Sequence, residues 1–264
     1  MKLAPTLKGV SLTPVRTGLI ILCAGVAWFF AVFIPQPAIL AVMSTDPLTA
    51  LYLMLEHGVL DACFIIAAFY FTAAVLGRRA TPTDLGLTRF PFLDVTPTDA
   101  TPTPWWQTLI NAILFLAASL ALVILGAFIL LIVQGPWEAL IHLSFGLTAL
   151  NNDWGLPGLL QQKPISFGVE VFVLCLLAPF AEEVLFRGFL FQWLARRFNV
   201  WAGVLVSALI FTTVHWSIFG FANTALLGIF SALLLRTTRS LWPSVALHSL
   251  WNILFVLFAL GLLR

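Results

Sequence analysis

The chain has 264 residues, of which 61% are hydrophobic and 9% charged, with 13 Lys and Arg against 11 Asp and Glu and a net charge of +2. A soluble domain carries about a quarter charged residues, so this inventory cannot give a molecule of that size a water-facing surface. No basic run or acidic tail points to a nucleic-acid partner, and the bilayer is the solvent that remains. Backbone groups in hydrocarbon must be satisfied internally, which leaves helices or a closed barrel. The long apolar runs lack the alternation of a barrel strand. The expected fold class is therefore all-α, a polytopic transmembrane helical bundle of about seven or eight spans.

The candidate spans run near 17–34, 58–77, 106–133, 167–195, 201–219, 221–236 and 241–263. The first, from Gly18 to Ile34, follows Lys2, Lys8 and Arg16. It is long for a signal-peptide core and has no clear small-x-small exit, so it reads as a retained helix. Residues 38–56 are moderately apolar and would supply an eighth span or an interfacial helix. Glu56, His57 and Asp61 fall near an end of span two, where snorkelling and interfacial water accommodate charge. The segment 80–104, rich in Thr, Pro and Asp, reads as a cytoplasmic loop. Trp105 and Trp106 after it mark an interface. The third span is long enough to tilt or to continue past the interface. His142 and the run Asn151, Asn152, Asp153 and Gly155 read as an outside region. The sixth span is short for a crossing of about twenty residues, so it would tilt little, break or re-enter. Cys23, Cys63 and Cys175 lie in apolar runs without CxxC spacing and read as small buried hydrophobes.

Basic residues alternate with the spans. Lys2, Lys8 and Arg16 precede span one, Arg78, Arg79 and Arg89 follow span two, Arg196 and Arg197 follow span four, and Arg236 and Arg239 follow span six. The intervening loops carry only Lys163. With seven spans the positive-inside rule places the N-terminus in the cytoplasm, and composition suggests a prokaryotic inner membrane. No internal repeat is visible. The chain divides into a transmembrane region over 1–164, with three or four spans, and a second over 165–264.

The second region holds polar residues that hydrocarbon does not tolerate without a reason. Span four contains Glu182, Glu183 and Arg187, span five His215, and span seven His248 and Asn252. At 1.5 Å rise per residue, Glu182 and His215 each lie about 20 Å from the cytoplasmic ends of their spans, and His248 and Asn252 about 14 and 20 Å. Three helices thus carry their polar groups to similar depth. Glu183 and Arg187 are four apart with the acid first, the favourable order for a helical ion pair. Glu182 is turned about 100° away and has no cation on its own face. His248 and Asn252 are also four apart. Pro179, one turn before the acids, removes a helix hydrogen bond and can kink the span.

These residue types suit peptide hydrolysis, which needs a base to activate water and donors for the oxyanion. Glu182 serves as base with His215 sharing the proton, His248 and Asn252 as donors, and Glu183 with Arg187 as the pair that holds the set. No serine stands in a GxSxG elbow and no cysteine stands beside a histidine, so water is the nucleophile. No cofactor is expected, although Glu182, His215 and His248 are Zn ligand types and a Zn site built from them stays open. The HExxH spacing of a metalloprotease helix is absent.

The segments Glu182-Glu183-Val184-Leu185-Phe186-Arg187, Phe211-Thr212-Thr213-Val214-His215 and His248-Ser249-Leu250-Trp251-Asn252 read EExxxR, FxxxH and HxxxN. In that order they resemble the CPBP family, which groups type II CAAX prenyl proteases with bacteriocin-processing enzymes. The resemblance covers about residues 165–262. It implies an intramembrane endopeptidase, described as glutamic-type and often labelled a metalloprotease. It further implies that Glu182 and His215 activate water and that His248 and Asn252 bind the oxyanion. The partners implied are membrane lipid and a protein or peptide substrate, lipidated or membrane-anchored. Two other classes stay open. Buried Glu and His also build proton relays in transporters, although the polar set occupies one half only where transporters commonly repeat. A non-catalytic scaffold or immunity protein on the same fold is the third reading. Phe211 reads as packing beside the site.

Overall fold

A computed structural model describes residues 12–33, 45–87, 105–145, 156–215 and 219–262. Among the described residues there are eight helices and no strand: α1 (Leu12–Phe33), α2 (Asp46–Leu76), α3 (Trp105–Phe145), α4 (Leu156–Gln162), α5 (Pro164–Arg197), α6 (Val200–Val214), α7 (Phe221–Thr238) and α8 (Trp242–Ala259). Six of them, α1, α2, α3, α5, α7 and α8, are long and apolar enough to cross a bilayer. The protein is an integral membrane protein, a polytopic helical bundle.

Helix ends follow from local chemistry. Pro47 opens α2 just after Asp46, where a missing N–H costs nothing and an acid meets the positive end of the dipole. The helix stops at Gly77, whose φ of 66° and N–H bond to Ala73 O form a left-handed cap. Asn199 caps α6 by accepting from Ala202 N at 2.8 Å.

The chain forms two compact units, one of Met1–Thr81, Asn151–Leu185 and Asn252–Arg264, the other of Pro82–Leu150 and Phe186–Trp251. In the first unit α1 packs along α2. A Cβ on Gly25 would come within 3.0 Å of Cys63 Sγ, so the missing side chain is what lets the two backbones approach. Trp28 Nε1 donates to Leu55 O at 3.1 Å across the same pair. Asp46 accepts from Ile165 N and Ser166 N, both at 2.8 Å, and so caps α5 from the start of α2. In the second unit α6 lies on α7, and α7 on α3. Ser244 Oγ of α8 donates to Ser231 O of α7 at 2.7 Å, and Trp251 Nε1 to Asn223 Oδ1 at 2.7 Å. Leu241 N bonds Gly86 O at 2.8 Å and ties the short turn Pro82–Leu85 to the start of α8.

Several expectations need correction. Residues 46–56 belong to the same 31-residue helix as span two and do not form a separate element. Glu56, His57 and Asp61 therefore sit in the middle of α2, about 15 to 22 Å from its start. The short helix is α6, of 15 residues, whereas α7 has 18. His142 lies inside α3, which runs on through Pro136 to Phe145. Of the loop 80–104, residues 88–104 lie outside the described residues, as do Asn151, Asn152, Asp153, Gly155, Lys2, Lys8 and Arg89.

Candidate active site

The acids stand on α5, which is not a uniform α-helix. It is π-helical over Val173–Leu177 and again over Val184–Phe191, with a six-residue α-helical stretch Ala178–Glu183 between them. Pro179 gives the local reason for the first. It has no N–H to bond four residues back, and the preceding Ala178 N–H reaches Val173 O, the i→i−5 bond of a π turn. Such turns change which residues share a face and recur at functional sites.

In the first unit Glu183 is fully buried and Glu182 half-buried. The stretch that carries them packs on α2. From α2 comes Asp61, 4% exposed, whose carboxylate is within electrostatic reach of Glu182 and whose Oδ2 has no hydrogen-bond partner among the described residues. A buried carboxylate oxygen without a donor costs about 1–3 kcal/mol. Nearer the start of both helices, Glu56 and Glu170 lie within electrostatic reach of each other, and His57 Nε2 is 4.0 Å from Glu170 Oε1. Asn252 Nδ2 donates to Leu174 O at 2.7 Å, beside the first π turn. That turn frees carbonyls from the α-helical ladder, and Asn252 satisfies one of them.

In the second unit Arg187, His215 and His248 come together around one ring. Arg187 is fully buried, with its guanidinium carbon 4.1 Å from the centre of Phe211. The rings of His215 and His248 lie 4.4 and 5.7 Å from the same ring. His215 follows the last residue of α6, and its Nδ1 is 2.7 Å from Phe211 O. A carbonyl only accepts, so Nδ1 carries the hydrogen. In the neutral imidazole Nε2 is then the basic nitrogen.

Three of the expected site residues, Arg187, His215 and His248, are thus gathered in one unit, and Glu182, Glu183 and Asn252 belong to the other. Within either unit no three His, Cys, Asp or Glu side chains among the described residues are grouped as metal ligands. The Zn set of the sequence reading draws Glu182 from one unit and His215 and His248 from the other.

Asp61, Glu56 and Glu170 were not singled out as site residues from the sequence. The signal that could have found the first two is the run Thr45-Asp46-Pro47, a helix start. Placing α2 there puts residues 56–61 at mid-helix, where charge is least tolerated.

Comparison with known proteins falls on the same part of the chain. Residues 164–254 match the family described as type II CAAX prenyl endopeptidase Rce1-like. The likeness over this region is to the CAAX/CPBP protease type. The match contains all six expected site residues and begins at the first residue of α5. The family is one of membrane proteases. The chain is also 26% identical over 142 residues to a Bacillus subtilis (strain 168) protein named "Putative membrane peptidase YdiL". That likeness covers 53% of this chain and 57% of the relative, so the chain spans little more than half the relative's length. No solved structure matches.

Proposed function

We propose that the chain is an intramembrane endopeptidase that hydrolyses a peptide bond of a membrane-associated protein or peptide with water activated by Glu182 and His215. The observation that carries this reading is the bond from His215 Nδ1 to Phe211 O, which leaves Nε2 as a base able to take a proton. Glu182 shares that proton. His248 and the second Nδ2 hydrogen of Asn252 donate to the oxyanion that forms on the scissile carbonyl. Glu183 and Arg187 hold the set by charge. Residues 165–264 form the catalytic part of the chain and 1–164 the remaining transmembrane part.

The substrate class that suits the family is a lipidated or membrane-anchored chain. The alternation of basic residues supports an N-terminus in the cytoplasm of a prokaryotic inner membrane. A metal-dependent variant would hold Zn on Glu182, His215 and His248, donors of the right type, and the ion would supply an acidified water. The buried acids Glu56 and Asp61, with half-buried Glu170, favour one other reading, a proton-coupled transporter, because such groups also form relays.

The test is a cleavage assay on detergent-purified protein with lipidated and leader-type peptides, comparing wild type with Glu182→Ala and His215→Ala, with and without chelator. Loss in both variants with chelator-resistant wild type is the expected result. Chelator-sensitive cleavage transfers Glu182, His215 and His248 to metal ligation. Equal cleavage by the variants overturns the site.

A further inference from the structure

Arg187 has the largest side chain among the fully buried residues, and a buried guanidinium without compensating contacts is too costly to persist. One face of it meets the fully buried ring of Phe211, with 4.1 Å from guanidinium carbon to ring centre. Phe186 lies edge-on to that ring at 5.2 Å and is itself 5.9 Å from the guanidinium carbon. Gly228 on α7 adds a second wall. A Cβ there would be 3.3 Å from Arg187 Nη2, 2.9 Å from Ala208 Cβ and 3.0 Å from Ala208 Cα. The guanidinium therefore occupies a slot with an aromatic face and a wall that has no side chain. The same Phe211 ring meets His215 at 4.4 Å and stands edge-on to His248 at 5.7 Å, with an interplanar angle of 83°.

We infer that Phe211 is a positioning residue for the proposed hydrolysis: its π-face holds the Arg187 charge, its ring sets the two imidazoles, and its carbonyl fixes the tautomer of His215. The inference rests on the peptidase reading for the role of the histidines, but the Arg187–Phe211 coupling stands without it. An aliphatic side chain of similar volume would fill the space. It would not supply the negative face that attracts a cation, an attraction that grows as the pair is desolvated. The electrostatics of the ring is thus the property to vary, at constant shape.

The experiment replaces Phe211 in the full chain by phenylalanines bearing one, two and three ring fluorines, which drain the π-face stepwise with little change in size. Melting temperature is measured in wild-type, Arg187→Lys and Arg187→Met backgrounds, with the ring 15N shifts of His215 in histidine-labelled protein. The expected result is a stepwise fall in melting temperature that persists with Lys, vanishes with Met, and is accompanied by a graded shift of the His215 nitrogens. On a peptide that wild type cleaves, kcat/KM falls by about tenfold at three fluorines, the change expected when an interaction of this strength is weakened. Should Arg187→Met not fold, the His215 shifts in the wild-type background decide. A melting temperature and His215 shifts indifferent to fluorination overturn the inference. Absence of peptidase activity in wild type overturns the proposed function and leaves the Arg187–Phe211 coupling to be judged on melting temperature alone.

Discussion

Asp61 on α2 and Glu182 on α5 place two carboxyl groups within electrostatic reach of each other, one of them with a buried oxygen that no described donor satisfies. Like charges in a low-dielectric site are unfavourable, and proteins keep such arrangements where chemistry uses them. Asp61→Asn removes the repulsion and retains the shape. It should raise stability by about 1–3 kcal/mol while lowering turnover by roughly tenfold, since Glu182, the proposed base, loses the carboxyl group beside it. Thermal unfolding and kcat/KM of the same preparation check it. Higher stability with unchanged turnover would mean that Asp61 is strain without function.

Asp46 and Ser166 are joined by a bond from Ser166 N to Asp46 Oδ1 at 2.8 Å and by further bonds from Ser166 Oγ to Asp46 Oδ1 and Asp46 O. Lys163 Nζ adds a bond to Thr49 Oγ1 at 2.8 Å. These contacts start α5 from α2 and so fix the register at which the acids face α2. Asp46→Ala and Ser166→Ala should each lower the melting temperature, and the double variant should lose less than the two combined, because they break one network. Additive losses measured by thermal unfolding would show that the two act separately.

Gly228→Ala places a methyl group inside contact distance of both Ala208 and Arg187. Overpacking of that kind costs about 1–3 kcal/mol. Because the neighbours are Ala208 Cβ and the Ala208 backbone behind it, relief comes by pushing α7 and α6 apart or by moving Arg187. The expected outcome is lower stability with a fall in kcat larger than any rise in KM. Ala208→Gly in the same chain should restore part of both by clearing the Cβ contact. A kinetic scan of the single and double variants decides it.

Pro179→Ala restores an N–H where the first π turn compensates for its absence. Ala is favoured over Pro by about 3 kcal/mol in an α-helix interior, so the variant should become more stable as the turn relaxes toward α-helix. The relaxation rotates Val173–Leu177 relative to the acids and withdraws Leu174 O from Asn252. Turnover should therefore fall although the substituted residue carries no chemistry. A thermal shift upward with unaltered cleavage would show that the π turn does not matter to the site.

The class of protein was legible from composition because no soluble arrangement exists for so few charges. The six expected site residues stood out in the sequence because each is expensive in hydrocarbon. Their helices were also identified, since an apolar run of span length has one stable conformation there. Where the reading failed, it failed at boundaries and at contacts between helices. Taking span two to begin at residue 58 turned Glu56, His57 and Asp61 into residues of a helix end, whereas α2 starts at Asp46 and buries Glu56 and Asp61. Phe211 looked like packing because a phenylalanine in a membrane helix is ordinary, and nothing in its spacing says that a guanidinium lies on its face.

The sequence by itself therefore determined the solvent of this protein, its helices and the identity of its costly side chains, all properties of one residue or one segment in hydrocarbon. Only the tertiary structure decided that Asp61 comes within electrostatic reach of Glu182, that Arg187 rests on Phe211, and that His215 presents Nε2. In water an amphipathic stripe shows which side of a helix is inside. In lipid both sides are apolar and helix contacts depend on close packing of small groups such as Gly25 and Gly228. The faces that meet are chosen by shape across helices, information that no single helix contains.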